Sequence, residues 1–559
     1  MTTPLPSRPD SGPARPTEGP LRSHAYGEPG LWYAAAGLVL ALAMLAAFIG
    51  WILYSGVTTF WPRRVVQAKL RDGTSRIGEI VRFEYSRAPD GSSQPAWLLR
   101  TGNFELTQTH FTWVRQNDLD RFEEPAWAWV IERVEWGRFY GIPKALLVDD
   151  QPIAADPETI WAKFKELHPD TVARRRRRQA LQTRDMGEVN ARIEEARLSV
   201  RAAELRYGRD STEVQRARAR EEEVRRWAER AYERLKTEIE SLEANNRRFQ
   251  LRMVTADGRE ATLKLGDIVR AYPANQLARW DRVRIYLDRW HEYLTDSPRE
   301  ANSEGGIYPA IVGTVSMCLL LVVLVAPIGV LTAVYLREYA RPSTWTSLMR
   351  IAISNLAAIP SIVYGVFGLG FFCYTVGATL DQWWFPARLP NPTYGKGALI
   401  WSSLTLAVLT LPVVIVTTEE ALAAIPNSLR EGSAAFGATR WQTIRRIVLP
   451  RALPGILTGI ILALARGAGE VAPLMLVGAV KLAPELPVDG NFPWVHLHRS
   501  FMHLGFHIYD LGFQSPNSEA AKPMVYTTAM VLVTIVVVLN LLAIGIRNRI
   551  RSRFISETV

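Results

Sequence analysis

Two ionisable residues stand inside an apolar stretch of this chain, in the run Arg466-Gly467-Ala468-Gly469-Glu470-Val471-Ala472-Pro473-Leu474. Arg466 and Glu470 are four apart, a spacing that puts both on one face of a helix. A charge held in bilayer hydrocarbon costs roughly 2.5–3.5 kcal/mol on insertion scales, and such residues mark transport pathways. The planar guanidinium fork of Arg466 matches two oxygens of a phosphate-like anion. Glu470 would hold Arg466 between binding events, or compete for it at release. The alternative is an ion pair that joins two spans and touches no ligand. Gly467, Gly469 and Pro473 loosen a helix at this point, which suits a pathway wall better than a rigid strut.

A second constellation lies just upstream, in a polar loop: Glu431-Gly432-Ser433-Ala434-Ala435-Phe436-Gly437, nine further residues, then Ile447-Val448-Leu449-Pro450. Glu431 suits a helix start, Gly437 permits a tight turn, and Pro450 ends or redirects the chain. The expectation is a short, rigid helix–turn–helix tied to two spans. A third segment, Ile359-Pro360-Ser361-Ile362-Val363-Tyr364-Gly365, combines a proline that frees a backbone carbonyl with a glycine that admits close helix approach. Helix packing and pore lining are both open for Pro360, Ser361, Tyr364 and Gly365.

Other reactive residue types form no convincing site. His503 and His507 share a helix face near His496 and His498, but no acidic or Cys partner stands at metal-ligand spacing, so packing is the default and no metal is expected. Cys318 and Cys373 both fall in apolar runs and read as packed small hydrophobes. No G-x-x-x-x-G-K-[ST] phosphate loop is present, since Gly395-Lys396 lacks the upstream glycine. The chain therefore is not expected to bind a cofactor or hydrolyse ATP. No nucleophile and base are paired within the apolar runs, which disfavours an intramembrane hydrolase.

The elements that must position these residues are membrane helices. The 559 residues carry a formal charge of +11, and the mean hydropathy of −0.01 averages long apolar runs with a charged middle section. About six spans have the length to cross a bilayer: roughly 31–54, 309–336, 351–378, 399–416, 453–480 and 525–546. Arg337, Arg341 and Arg350, then Arg430, Arg440, Arg445, Arg446 and Arg451, then Arg547, Arg549, Arg551 and Arg553 occupy loops on one side. By the positive-inside rule that side is cytoplasmic, along with both termini. Basic charge here reads as membrane topology, with no nucleic-acid partner. Residues 1–30 read as a disordered cytoplasmic tail, and the first run is too long for a secretory signal.

Residues 55–305 then face outward as an α+β unit. Short β-type runs at 65–70, 78–85 and 97–100 are separated by turn pairs such as Asp72-Gly73 and Asp90-Gly91, and a further hairpin centres on Asp257-Gly258. Between them, residues 158–246 read as a long charged helix with an apolar stripe through Val189, Ile193, Ala196, Val200 and Ala203, and again through Val224, Ala228, Ala231, Leu235, Ile239 and Leu242. Gly208-Arg209-Asp210-Ser211 interrupts it, and Thr212 with Gln215 reads as a capping box for the restart. An antiparallel coiled-coil hairpin is expected. The five arginines Arg174–Arg178 read as part of its charged surface.

The Glu431–Pro450 loop resembles the E-A-A…G…I-x-L-P loop of bacterial ABC importer permeases. Glu431, Gly437, Ile447, Leu449 and Pro450 match in register, while Gly432 and Ser433 replace the two alanines. Gly305–Thr314, Pro327–Ala340, Pro360–Gly365 and Arg466–Leu474 further resemble, in order, recurrent segments of the PstA-type permease of the phosphate-specific ABC transporter, with Val471 where that family often has Thr. The resemblance covers about residue 305 to the C-terminus. It implies a type I permease core over 306–559 in a bacterial inner membrane and a loop that docks an ATPase carrying ATP and Mg. It also implies two ATPase subunits, a second homologous permease, a periplasmic phosphate-binding protein, and an Arg466–Glu470 pair on the phosphate pathway. The same resemblance implies that the complex reports phosphate supply to a sensor kinase. Sulfate or molybdate is the alternative cargo, and a scaffold acting through the coiled coil is the alternative role.

Overall fold

The computed structural model describes residues 29–87, 93–490, 492–515 and 518–555. Residues 1–28 of the tail read at 1–30 and the Asp90-Gly91 turn lie outside them, while Pro29 and Gly30 belong to the first helix. The chain divides after Tyr54 into two units. The first carries most of helix α1 (Pro29–Thr58), whose apolar side chains, such as Trp32, Leu40, Phe48 and Trp51, are exposed.

In the second unit, antiparallel strands β1 (Val65–Leu70), β2 (Ser75–Arg87), β3 (Ser93–Arg100), β4 (Phe111–Arg115) and β5 (Leu119–Glu123) form a sheet ordered β4-β3-β2-β1-β5, with the short helix α2 (Phe104–Thr107) between β3 and β4. A second sheet, β10-β9-β7-β6-β11, contains β6 (Trp129–Arg133), β7 (Arg138–Val148), β9 (Phe249–Val254), β10 (Glu260–Lys264) and β11 (Ile268–Pro273), and β8 (Gln151–Ala154) pairs with β7. Strand β6 is buried on both faces. Side chains alternate along a strand, so Trp129 and Ile131 pack on Ile160 and Phe164 of helix α3 (Pro157–Ala180), while Val130 packs with Val65 and Ile77 of the other sheet.

A π-turn at Leu181–Asp185 carries α3 directly into α4 (Met186–Tyr207), and α5 (Thr212–Arg247) returns along it. Val189, Val200, Val214 and Ala228 are buried in these helices, Arg192 lies over the Trp227 ring, and Arg218 pairs with Glu204 at 2.8 Å. Gly208, at φ +83°, ends α4. The restart is capped by Ser211, whose Oγ accepts from the Val214 N–H, and not by Thr212: Ser211 is the residue with extended backbone, so its hydroxyl faces the free N–H groups of the first turn. Four of the five arginines at 174–178 are held within the fold. Arg174 donates to Asn246, Arg175 to the Gly266 and Ile268 carbonyls, and Arg177 and Arg178 pair with Glu238 and Glu243.

Helix α6 (Arg279–Thr295) joins the sheets to the helical part. Arg289, Arg270 and Arg138 surround the buried Glu132 carboxylate. Arg289 also donates to the Phe60 carbonyl at 2.9 Å, and the Tyr293 hydroxyl bonds Thr528 at 2.7 Å. Burial alone would raise the Glu132 carboxyl, but the three guanidinium groups outweigh it and hold it well below the usual carboxylate range.

Among the described residues, six helices are long and apolar enough to cross a membrane: Trp32–Thr58, Tyr308–Tyr339, Ser361–Trp384, Leu399–Ala423, Arg440–Gly469 and Glu519–Ser552. The second is α7 (Tyr308–Val334) extended by a π-turn at Tyr335–Tyr339. The third is α9 (Ser361–Phe367), a wide π-helical stretch and α10 (Ala378–Trp384). The fourth is α11 (Leu399–Ala423), and the last lies in α17 (Ser518–Ile555). The third and fifth spans differ most from the sequence reading. Residues 351–356 belong to a separate helix, α8 (Thr344–Leu356), and the span starts at Ser361 because Pro360 (ψ 136°) sits outside the helix it precedes. The fifth span starts at Arg440 and stops at Gly469, well before residue 480. Met317, Leu321 and Val325 of α7 pack with Leu406 and Val414 of α11 and with Ala463 and Phe501.

Replacing Glu132 with Ala leaves Arg289 and Arg270 buried without their shared carboxylate. The expected loss is about 3–5 kcal/mol at neutral pH, read as a lower urea midpoint of the purified protein. A depressed folded-state pKa stabilises above the unfolded value and ceases to do so as pH falls. The gap between wild type and variant therefore narrows below about pH 4. An unchanged midpoint at pH 7 contradicts the role assigned to this cluster.

Candidate functional site

The helix that carries Arg466 breaks one residue before Glu470. α13 (Arg440–Thr443), a π-turn at Ile444–Val448 and α14 (Leu449–Gly469) run on as one helix, and α15 (Ala472–Val477) follows after a two-residue gap. Glu470 has extended backbone (φ −79°, ψ 131°), and Pro473 in the first turn of α15 has no N–H to offer the preceding carbonyls. The shared-helix-face reading of Arg466 and Glu470 is therefore corrected, because Glu470 lies just beyond the helix. The two side chains still face each other, with Arg466 Nε 3.7 Å from Glu470 Oε1. At that distance the contact is loose for a charge-assisted hydrogen bond. The Arg466 side chain is 38% exposed.

The third span brings its motif to the same place. A Cβ on Gly365 would lie 2.7 Å from Pro473 Cα, so only glycine lets α9 approach the break this closely. Tyr364 is buried beside it, donates to the Leu356 carbonyl at 2.7 Å, and lies within electrostatic reach of Arg466. Pro360 and Ser361 open this helix one turn away, so Pro360 caps a helix start instead of freeing a carbonyl within a span. Arg466, Glu470, Tyr364, Gly365 and Pro473 thus belong to one neighbourhood where two broken helices meet.

The polar loop forms an elbow elsewhere. α12 (Asn427–Ala435) leads to a turn in which Gly437 has φ +77°, and α13 follows. Thr439 and Gln442 make a capping box, and Ser433 Oγ lies 2.8 Å from Thr443 Oγ1, closing the turn. Phe436 at the tip is 95% exposed. Glu431 lies in the middle of α12 and not at its start, which is Asn427. Pro450 does not end the chain's helix. It sits in the first turn of α14, where the preceding π-turn absorbs the missing N–H. Ile447 and Leu449 lie on the same continuous helix, Leu449 against the cluster Val334, Leu422, Ile425 and Val448.

The histidines do not assemble. Among the described residues no group of three or more His, Cys, Asp or Glu could hold a metal ion. Sequence spacing offers no acidic partner, yet the folded loop brings Asp489 to 2.9 Å from His496 and 2.6 Å from Arg499. His503 Nδ1 accepts from the Gly505 N–H at the start of α16 (Leu504–Tyr509). Burial pushes the His503 and His507 imidazoles down to about 4, so both are neutral at pH 7. Sequence reasoning used Arg430 only as an orientation charge, and missed that it pairs with Glu338 at 2.7 Å. Its position directly before Glu431 was the available signal.

Residues 325–556 match the family described as binding-protein-dependent transport system inner membrane component. The chain is 30% identical over 260 residues to the probable ABC transporter permease protein YqgI of Bacillus subtilis, covering 45% of this chain and 81% of that protein. It is 34% identical over 244 residues to phosphate transport system permease protein PstA 1 of Mycobacterium tuberculosis, covering 44% and 71%. A third relative, YqgH of Bacillus subtilis, is 35% identical over 202 residues, covering 35% of this chain and 62% of that protein. The chain belongs to this permease family, as a PstA-type member. The break at Glu470 and the elbow at Gly437 both lie inside the matched region.

Replacing Gly365 with Leu forces α9 away from Pro473. The expected cost is about 1–3 kcal/mol of stability, read as a lower melting temperature in detergent. An unaltered melting temperature means the two helices do not meet as described.

Proposed function

We propose that this permease carries inorganic phosphate across a bacterial inner membrane, driven by ATP hydrolysis on separate subunits. The observation that carries the reading is Arg466: a partly exposed guanidinium at a helix break among membrane spans, held by a carboxylate 3.7 Å away. Such a group offers an oxyanion two parallel donors. Its loose tie to Glu470 lets an anion displace the carboxylate, and the carboxylate's return helps expel the anion. Affinity at this point is modest, because a tight site would stall release. Relatives named for phosphate transport support the choice of cargo.

In this reading two ATPase subunits, which hold ATP and Mg, dock on the Glu431–Pro450 elbow around Phe436. A second, homologous permease completes the membrane part. A periplasmic phosphate-binding protein delivers the anion. Both termini are cytoplasmic, and residues 55–305, including the helical hairpin at 158–246, are periplasmic. Lipid surrounds the spans, and no nucleic acid takes part.

Arg466→Gln tests the pathway. Hydrogen bonds to charged groups contribute roughly 1.5–3 kcal/mol, so uptake of radiolabelled phosphate at limiting concentration should fall about 10- to 100-fold. Wild-type uptake by a normally inserted variant rules out the pathway role and favours a structural pair or a scaffold. Gly437→Trp tests the elbow. Among the described residues nothing beyond its two chain neighbours stands within 4 Å of a Cβ there, so the indole projects toward the docked subunit, while φ +77° disfavours any side chain. ATP hydrolysis should continue while uptake drops; unchanged uptake counts against docking at this turn.

A further inference from the structure

We infer that Arg430 is the positioning residue through which the elbow moves two spans together. The inference rests on the importer reading and adds to it the path by which force leaves the elbow.

Arg430 stands on α12, one residue before the docking motif begins. Its guanidinium points away from the elbow's exposed tip. Nη1 donates to the Ile425 carbonyl at 2.7 Å, and Nη2 to the Leu422 carbonyl at 2.9 Å. The Leu422 carbonyl lies in the last turn of α11, where it also accepts from the Ile425 N–H at 3.4 Å, and the Ile425 carbonyl lies two residues beyond that helix, at an end that carries partial negative charge. The same fork pairs with Glu338: Nη2 donates to Oε1 at 2.7 Å, and Nε lies 3.4 Å from Oε2. Glu338 belongs to the π-turn that closes the α7 span. One side chain therefore joins α12 to the ends of the second and fourth spans.

The surroundings strengthen the bond. The Arg430 and Glu338 side chains are 20% and 10% exposed, beside the apolar cluster of Val334, Leu422, Ile425, Ile444 and Val448. Water has little access, so the pair is screened less than a surface ion pair. A planar fork faces two carbonyls and a carboxylate in fixed directions, whereas the ammonium of Lys, with three rotatable donors and no bidentate fork, matches them less well. Without Arg430 the elbow stays attached to the fourth span through the short peptide 424–426 and to the fifth through α13, but among the described residues no ion pair ties α12 to α7. A push on α12 would then reach the second span only by leaning on it.

Arg350 of α8 supplies an internal comparison. It donates to the Leu336 carbonyl at 3.2 Å and lies 3.6 Å from Glu419, so it also bridges the ends of α7 and α11. It is 48% exposed, its ion pair is longer, and it makes no bond to the elbow. Arg350→Gln should therefore leave coupling near the wild-type value.

The test uses the whole transporter in proteoliposomes and measures ATP hydrolysed per anion imported. Arg430→Gln and Glu338→Gln should each raise that ratio about tenfold, the scale of mutations that act on coupling. Maximal ATP hydrolysis should stay near wild type, and Arg430→Lys should fall between. If Arg430→Gln fails to fold, Glu338→Gln carries the test, since it leaves the arginine and its carbonyl bonds in place. An unchanged ratio in the variants, with or without a lower melting temperature, makes the contact merely structural and overturns the inference. A wild-type complex with no ATP-dependent uptake of any oxyanion overturns the importer reading itself, and this inference with it.

Discussion

Bilayer hydrocarbon offers a peptide group no hydrogen-bond partner, so a helix can end or break inside it only where the protein itself supplies one. The arrangement of this permease follows from that constraint. The fifth span breaks at Glu470, where Pro473 has no N–H to satisfy and the Glu470 N–H finds the Gly467 carbonyl at 3.3 Å. The fourth span ends at carbonyls that Arg430 covers. The second span widens into a π-turn at Tyr335–Tyr339, which presents Glu338 to the same arginine. Each irregularity leaves a polar group that must be answered, at Glu470 by the backbone carbonyl of Gly467 and at the ends of α7 and α11 by the Arg430–Glu338 pair with its proposed role in transport. Structural and functional demands coincide at these points because an unanswered group would be costly in either role.

The six long helices were legible because length and apolar composition suffice to find a span. The internal breaks were legible from Gly467, Gly469 and Pro473, residues whose backbone chemistry is local. Strand β1 covers the same residues as the β-type run 65–70, which the Asp72-Gly73 turn pair bounds locally. The misread features depend on partners distant in sequence or on one backbone angle. Residues 351–356 are apolar enough to extend a span, and only the extended backbone at Pro360 separates them from it. The hairpin restart offered two adjacent hydroxyls, Ser211 and Thr212, and composition does not choose between them. Glu338 and Arg430 lie 92 residues apart. Asp489 reaches His496 through a loop whose path no periodicity describes.

Within the proposed cycle the two halves of the site do different work. The elbow is compact and self-closed: Thr439, Gln442, Ser433 and Thr443 satisfy its turn internally, so it can move as a unit. The Arg466 neighbourhood is open by comparison, with a long ion pair and a glycine-mediated helix contact between Gly365 and Pro473. A rigid input and a loosely held anion contact suit alternating access, in which small motions of packed helices expose one site to either side. The two sheets, anchored through Glu132, Arg289 and Tyr293, are tied to the helical core near Phe60 and Thr528, at the end of the α7 span opposite the elbow.

The central claim is that an oxyanion of phosphate chemistry crosses this permease under the drive of a separate ATPase. The most direct measurement is uptake of radiolabelled phosphate and radiolabelled sulfate, in parallel, by the wild-type complex in proteoliposomes with and without ATP inside. The account predicts ATP-dependent phosphate accumulation that excess unlabelled sulfate does not suppress. Sulfate accumulation without phosphate accumulation would contradict it.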